Sequence, residues 1–519
     1  MVVGSKAQEN QFDVIAEAVF DQVRRALPPD LNIDITLDSH LDETGLDSLA
    51  RMDVLNRLEE AFGLRFSEDS LYNMSTCRDV IEYVEANANR GTSHWQPVAA
   101  ARVPSPPKTS TSAEIPAEIP AEHYDVTQFP ECVALEQRLA GMAAAGVENP
   151  FFRVKERVGK ATATIAGREV VSYTSFDYLG MAHDPRVIAA AKEATDLLGT
   201  SASASRLVGG NHAILQQLDE EIARFVGTEA AIVFPSGFGT NASALGHLFG
   251  QEDLILYDEL AHNSIVQGTM LSKAQRRPFP HNDFEFLDKL LRDIRGTYRR
   301  VAVAIDAVYS MDGDYPNLPR FIEVKQRHGA LLYVDEAHSL GVMGSTGRGI
   351  CEHFGVDPAD GDLWMGTISK ALGSAGGYLA GRKTLIQYLK YTTPSFVFAT
   401  ALSPANAAAA LAALRVLQAE PDRVAQLRDR SQLFLKLADD SGLNTGNSGD
   451  TPIIPIILGD SMRCVRVASA LLRQGIDVQP ILYPAVPESL SRLRFFISAE
   501  HSEEQICRTV ELLVDCLSS

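Results

Sequence analysis

Apolar residues recur at helical spacing near the start of the chain. Phe12, Ile15, Val19 and Val23 form one such row, and Met52, Leu55, Leu58 and Phe62 form another. Gly63 stands where the second helix would end, and a third helix is predicted over 77–88. Residues 91–125 break this rhythm. The stretch VAAARVPSPPKTSTSAEIPAEIPAEH is rich in Pro, Ala, Ser and Thr and offers no face for a core, so it reads as a semi-extended linker. From 126 to 519 the pattern changes again. Short apolar runs (AAIVF, LILYD, RVAVAID, LLYVDEA, DLWMGT) alternate with helical stretches, which predicts parallel strands joined by crossover helices. An Ala/Leu-rich helix opens a smaller C-terminal subdomain from about 405.

Length and charge sharpen this division. A chain of 519 residues exceeds what one hydrophobic core usually organises. Its net charge of −20 argues against nucleic acid as a partner, because phosphate binding needs a basic surface. Residues 1–90 hold 18 acidic and 8 basic side chains, a net of −10, so half of the excess sits in one small module. No run of about 18 apolar residues appears, so no membrane span is expected. The start, MVVGSKAQENQFD, lacks the basic-then-apolar pattern of a secretory signal. The six cysteines form no CxxC pair, which fits reduced thiols in the cytoplasm. No metal-ligand spacing is present.

In the acidic module, Ser48 follows Gly45-Leu46-Asp47 and precedes an amphipathic row. A hydroxyl at a helix N-terminus suits modification by an enzyme that delivers a phosphate-linked arm. Taken alone, a Ser after Asp is more often an ordinary helix cap. Together with the four-helix pattern, the acidic balance and the length, Asp47-Ser48-Leu49 resembles the attachment motif of acyl carrier proteins. That resemblance covers nearly all of 10–88. It implies a 4'-phosphopantetheine arm on Ser48, added by a phosphopantetheinyl transferase, whose thiol holds an acyl group; an acyl-loading enzyme is a further candidate partner.

In the large region, Asp335 and His338 fall at the end of one predicted strand, and Thr367, Ser369 and Lys370 at the end of the next. Ligands in open parallel sheets bind at such carboxyl ends. A lysine in an apolar, glycine-bounded turn is desolvated and can form an imine, and a carboxylate beside it can hold a pyridinium nitrogen. The segment AAIVFPSGFGTNASAL aims the backbone of Gly237 and Phe238, at a helix N-terminus, toward an anion. His262 follows another strand, where its ring can stack on a cofactor. Each piece also has a bland reading: Asp335 as a cap, the two histidines as core residues, SGFG as a turn. Their order and spacing together favour the functional one.

The segments DYLGM, SGFGTN, DELAHNS, YSMDGD, VDEAHSLG, TISKALG and RLRFFISAEH resemble those of the α-oxoamine synthases, a branch of the fold-type I enzymes that use pyridoxal 5'-phosphate. The branch includes 8-amino-7-oxononanoate synthase, 5-aminolevulinate synthase, serine palmitoyltransferase and 2-amino-3-ketobutyrate ligase. The expected fold is therefore an all-α four-helix carrier domain, then an α/β fold-type I enzyme with a smaller α+β C-terminal subdomain. The resemblance implies Lys370 as the Schiff-base lysine and Asp335 at the pyridine nitrogen. It puts Ser310 and His338 near the phenolic oxygen, and the catalytic His262 on the ring. Gly237, Phe238 and Thr367 would hold the phosphate, with Thr400 reaching it from the partner subunit of a homodimer. Arg494 would bind the substrate carboxylate.

Ser205 aligns with the side-chain pocket, where glycine-specific relatives carry Thr, so alanine or serine is the expected amino acid. The sequence departs from its relatives at Phe176, Asp177, Leu482 and Ala485, which bear on the carboxylate contacts, and at Asp306-Ala307. The implied reaction joins the amino acid to an acyl thioester with loss of CO2, giving an α-amino ketone. Rival readings are another fold-type I enzyme, such as an aminotransferase or decarboxylase, and an inactive partner subunit. Neither accounts for both the carrier and Lys370.

Overall fold

In the computed structural model, residues 15–24, 35–37, 39, 54, 58, 62, 76–88, 119–144 and 148–518 are described. The chain divides into two compact units, 1–119 and 120–519.

In the first unit, residues 15–24 are helical, as are 54, 58 and 62, and a helix runs over Cys77–Ala88. Thr76 and Asp79 cap that helix reciprocally: Thr76 N–H donates to Asp79 Oδ2 at 2.8 Å and Asp79 N–H to Thr76 Oγ1 at 3.3 Å. Its core gathers Ile15, Val19, Val23, Val54, Leu58, Val80, Ile81 and Val84. Of the apolar rows expected from spacing, the described members Ile15, Val19, Val23, Leu58 and Phe62 meet in this core. The four-helix form and Ser48 lie outside the described residues, as does most of the linker.

The second unit is built on strands β1 (Arg157–Val158), β2 (Thr162–Ile165), β3 (Arg168–Ser172), β4 (Ala230–Phe234), β5 (Leu254–Asp258), β6 (Gln275–Phe279), β7 (Val301–Asp306), β8 (Leu331–Asp335), β9 (Leu363–Thr367), β10 (Gly377–Gly381), β11 (Ile453–Ile457), β12 (Ile476–Asp477), β13 (Gln479–Ile481) and β14 (Arg492–Phe496). Seven of them form the central sheet in the order β4-β10-β9-β8-β7-β5-β6. Every pair is parallel except those that β10 makes with β4 and β9. The five apolar runs noted in the sequence are β4, β5, β7, β8 and β9. They read clearly because both faces of the sheet are covered and their residues are almost wholly buried.

β11, β14 and β13 make a second, antiparallel sheet. It packs with the helices Asp422–Asp440, Ser461–Arg473 and Glu503–Ser518 around Phe434, Ile454, Val467, Phe495 and Val510. The Ala/Leu-rich helix Pro404–Ala419 does not open this subdomain. Its buried Ala407, Ala410, Leu411 and Leu414 belong to the core of the central sheet, so the change of core comes after it. β1, β2, β3 and β12 form a small sheet of their own. The six cysteines are all free, and among the described residues no helix is long and apolar enough to cross a membrane.

Candidate active site

The carboxyl ends of β7, β8 and β9 open into a cavity of about 460 Å³. It is lined by Gly237, Phe238, His262, Ser310, Asp335, His338, Thr367, Lys370 and Arg494, nine of the residues singled out in the sequence. Parallel register puts Asp306 opposite Asp335 and Asp335 opposite Met365, so the three strand ends share one level. A larger recess of about 810 Å³ lies elsewhere, but Asp219 within it is already bound by Arg206 and Lys390.

One wall of the cavity is an anion cradle. Ser236 caps the helix Gly237–Leu248, its Oγ accepting from Gly239 N–H at 3.2 Å. The first turn of a helix leaves its N–H groups without intrahelical partners. Gly237 is required there: a Cβ would lie 2.8 Å from Thr367 Oγ1 and fill the cradle. Thr367 Oγ1 is fixed by Ser369 Oγ at 2.7 Å and by the Gly376 carbonyl at 3.0 Å.

Opposite stand the ionisable groups. Burial lowers the Lys370 ammonium to about 8, against the pull of Asp335 and Asp306. That brings it close to releasing its proton at neutral pH. Asp335 is held by Ala337 N–H at 2.9 Å through Oδ1 and by Asn241 Nδ2 at 2.6 Å through Oδ2. Burial lowers His262, and Lys370 and Arg494 add to it against the opposing pull of Asp335. His338 is pushed far down by burial and by the same two cations. Its Nδ1 meets Tyr178 Oη at 2.7 Å. Burial raises the Tyr178 phenol and keeps its proton on, so this is a hydrogen bond between two neutral groups.

A directed chain of hydrogen bonds, not foreseen from the sequence, fixes His262 as well. Asn241 Nδ2 reaches both Asp335 Oδ2 and Ser264 Oγ, the latter at 2.8 Å. Ser264 Oγ and its own N–H both converge on His262 Nδ1, at 2.7 and 3.2 Å. Nδ1 therefore accepts, and the neutral ring carries its proton on Nε2. Tyr333 Oη–H donates to Asn241 Oδ1 at 2.7 Å and sets which way the amide faces. The available signal was Asn241 itself, one helical turn beyond Gly237 within SGFGTN.

Arg494 lies over Phe496 at 4.6 Å and donates from Nη1 to the Ser310 carbonyl at 2.8 Å. Its Nε is buried without a partner, so the guanidinium keeps donors for a carboxylate. Burial lowers it to about 10.

The departures noted in the sequence separate here. Phe176 lines the cavity, 5.6 Å from Lys370 Nζ and edge-on to Phe496. Asp177 does not serve the site: its carboxylate is taken up by Met181 N–H and Ala182 N–H. Asp306 lines the cavity and accepts from His262 N–H at 3.1 Å; burial and Asp335 push its carboxyl well up. Leu482 and Ala485 are not among the lining residues, nor are Ser205 and Thr400. The last two lie in segments that touch each other, through Ala401 N–H to the Ala204 carbonyl at 3.0 Å.

Pyridoxal 5'-phosphate fits these residues. An anion cradle, the buried carboxylate of Asp335, the buried amine of Lys370 and the neutral ring of His262 line the same cavity, the set of groups that this cofactor needs.

Comparison with known proteins agrees. Residues 168–513 match the aminotransferase class I and II family, and residues 21–84 match the phosphopantetheine attachment site family. The 8-amino-7-oxononanoate synthase of Symbiobacterium thermophilum is 38% identical over 372 residues, 72% of this chain and 94% of that protein. The serine palmitoyltransferase of Sphingomonas wittichii superposes with a TM-score of 0.72 at 34% identity, covering 76% of this chain and 98% of that one. A serine palmitoyltransferase solved with its pyridoxal phosphate internal aldimine gives a TM-score of 0.71 at 30% identity, with the same coverage. The chain therefore belongs to the α-oxoamine synthases, pyridoxal phosphate-dependent acyltransferases of the class I and II aminotransferase family, and it carries a phosphopantetheine attachment domain ahead of the enzyme.

Proposed function

We propose that this chain condenses an amino acid with an acyl group carried as a thioester on its own Ser48 arm, releasing CO2 and an α-amino ketone and leaving the arm as the free thiol. The observation that carries the reading is the meeting of Lys370, Asp335 and Arg494 in one cavity of a chain that also matches the phosphopantetheine attachment family. When bound, the cofactor supplies the electron sink for a carbanion at Cα. Arg494 holds the amino-acid carboxylate through its free donors. Lys370 Nζ, lowered by burial, takes the Cα proton. Asp335 would hold the cofactor's ring nitrogen and favour its protonated form, and His262 and His338 would meet the cofactor as neutral rings that add no positive charge. Phe176 and Phe238 give the cavity apolar walls.

Residues 1–90 act as the carrier and 91–125 as the tether, which raises the local concentration of the thioester. Alanine or serine is the preferred amino acid, because Ser205 lacks the extra methyl that crowds the pocket. One methyl of crowding is worth roughly 10–200-fold in preference. Ser205 and Thr400 act from the partner subunit of a homodimer. Their contact through Ala204 and Ala401 lets one edge deliver both, and Val208 and Phe398 beside them are each 85% exposed on the single chain.

The test uses the full chain with a phosphopantetheinyl transferase, an acyl-coenzyme A and L-alanine. One acyl-phosphopantetheine mass should appear on the wild type and none on Ser48→Ala, and only the loaded wild type should release CO2 and an amino ketone. Pyruvate in place of CO2 would mean transamination and overturn the reading.

A further inference from the structure

His281 lies two residues beyond the end of β6, outside the cavity, between two aspartates. Its Nδ1 is 2.9 Å from Asp258 Oδ1 at the end of β5, and its Nε2 is 2.8 Å from Asp314 Oδ2. A neutral imidazole has one N–H and can donate to only one of them, so carboxylates on both nitrogens call for the imidazolium. Burial alone would lower His281, but its bonds to Asp258 and Asp314 override that and lift it to about 10. Asp258 is fully buried and is held further by Leu260 N–H and Asn282 N–H. This end of the clamp is therefore rigid.

The other end, Asp314, closes the loop 309–314. Tyr309 N–H donates to the Asp314 carbonyl and Gly313 N–H to the Tyr309 carbonyl. Gly313 has φ of +75°, and a Cβ there would lie 2.0 Å from the Ile453 carbonyl. Only glycine allows the loop to sit so close to β11. From β14, Arg492 Nη1 grips the Met311 carbonyl at 3.0 Å and Asp312 at 2.6 Å. Arg494 Nη1 takes the Ser310 carbonyl at 2.8 Å and Met311 Sδ at 3.1 Å. The loop is a strut between the central sheet and the C-terminal one, and it holds the Nη1 end of the Arg494 guanidinium.

We propose that His281 is a positioning residue for substrate: clamped on Asp258 and Asp314, it fixes the 309–314 loop, and the loop's Ser310 carbonyl aims Arg494 at the amino-acid carboxylate. This rests on the reading of Arg494 as the carboxylate site.

The test is a double-mutant cycle on the full-chain holoenzyme, titrating L-alanine and following the cofactor's visible spectrum. His281→Gln should weaken L-alanine binding about tenfold. KM for alanine should rise in step while kcat at saturation and cofactor content change little. Arg494→Lys should weaken binding more, and the double variant no further than Arg494→Lys alone. Losses that multiply in the double variant would overturn the proposal, as would wild-type alanine affinity in His281→Gln. If His281→Gln does not fold, Asp314→Asn gives the same cycle from the other side of the clamp. Unchanged affinity in Arg494→Lys would instead overturn the reading of Arg494 beneath it.

Discussion

The ends of β7, β8 and β9 and the ends of β5 and β6 lie along one edge of one sheet, and both bury histidine beside aspartate. At the first, where His262 reaches into the cavity from the segment after β5, His262 and His338 are neutral, because burial is reinforced by Lys370 and Arg494. At the second, His281 is charged, because two carboxylates outweigh burial. Burial favours the neutral ring in both places; the sign of the neighbouring charges decides. The chemical consequence differs accordingly. A neutral ring adds no further positive charge beside Lys370 and Arg494, whereas a residue that anchors a loop gains from charge-assisted bonds on both nitrogens.

The sharpest way to break this comparison is at Lys370, which faces both neutral rings. Lys370→Ala should abolish turnover, by about 10³-fold or more, and remove the visible absorbance of the lysine-bound cofactor. Circular dichroism should be unchanged. With one cation gone, His262 and His338 should titrate at higher pH than in the wild type, measured by imidazole NMR shifts. Wild-type turnover in this variant would remove Lys370 from the chemistry, and unmoved histidines would remove it from their electrostatics.

On the clamp side, Asp258→Asn leaves His281 buried beside one carboxylate. Losing one partner of a buried pair costs about 3–5 kcal/mol, read as a lower denaturant midpoint. The neutral side offers a milder counterpart. Tyr333→Phe leaves Asn241 Oδ1 buried without its donor, a loss of about 1–3 kcal/mol, and frees the amide to turn. Activity should fall with it, since Asp335 and His262 are both oriented through Asn241. Equal stability losses in the two variants would mean that charge does not distinguish the two regions.

Much of the first region was legible in the sequence and little of the second. Strands β4, β5, β7, β8 and β9 stand out as unbroken apolar runs because helices cover both faces. β6 escaped notice: QRRPF is an edge strand, half-exposed and basic, with a proline no central strand would tolerate. β10 is five residues between glycines and runs antiparallel, which alternation of strand and helix does not announce. Residues at strand ends could be named from motifs. The Asn241–Ser264–His262 chain and the His281 clamp could not, because each joins side chains from separate segments whose meeting depends on strand order. The same limit explains Asp177, whose carboxylate turned to local backbone, and Ser205 and Thr400, which lie outside the cavity of their own chain.

The finest test compares stability against pH in the wild type, His281→Gln and His338→Gln. His281 has a folded value of about 10 against an ordinary 6.5. Asp258, Asp314 and the edge of Tyr309 face it. Its contribution is complete below 6.5 and is lost as pH rises toward 10. His338 is displaced the other way, facing Tyr178, Lys370, Arg494 and His262. Its neutral burial contributes fully above 6.5 and is lost as pH falls below it, because the unfolded chain then takes up a proton that the folded one refuses. Each slope is at most about 1.4 kcal/mol per pH unit. The gap between wild type and His281→Gln should therefore narrow on the alkaline side, and that between wild type and His338→Gln on the acid side. Both gaps narrowing on the same side would mean that the two histidines share one charge state and that their neighbours do not set it.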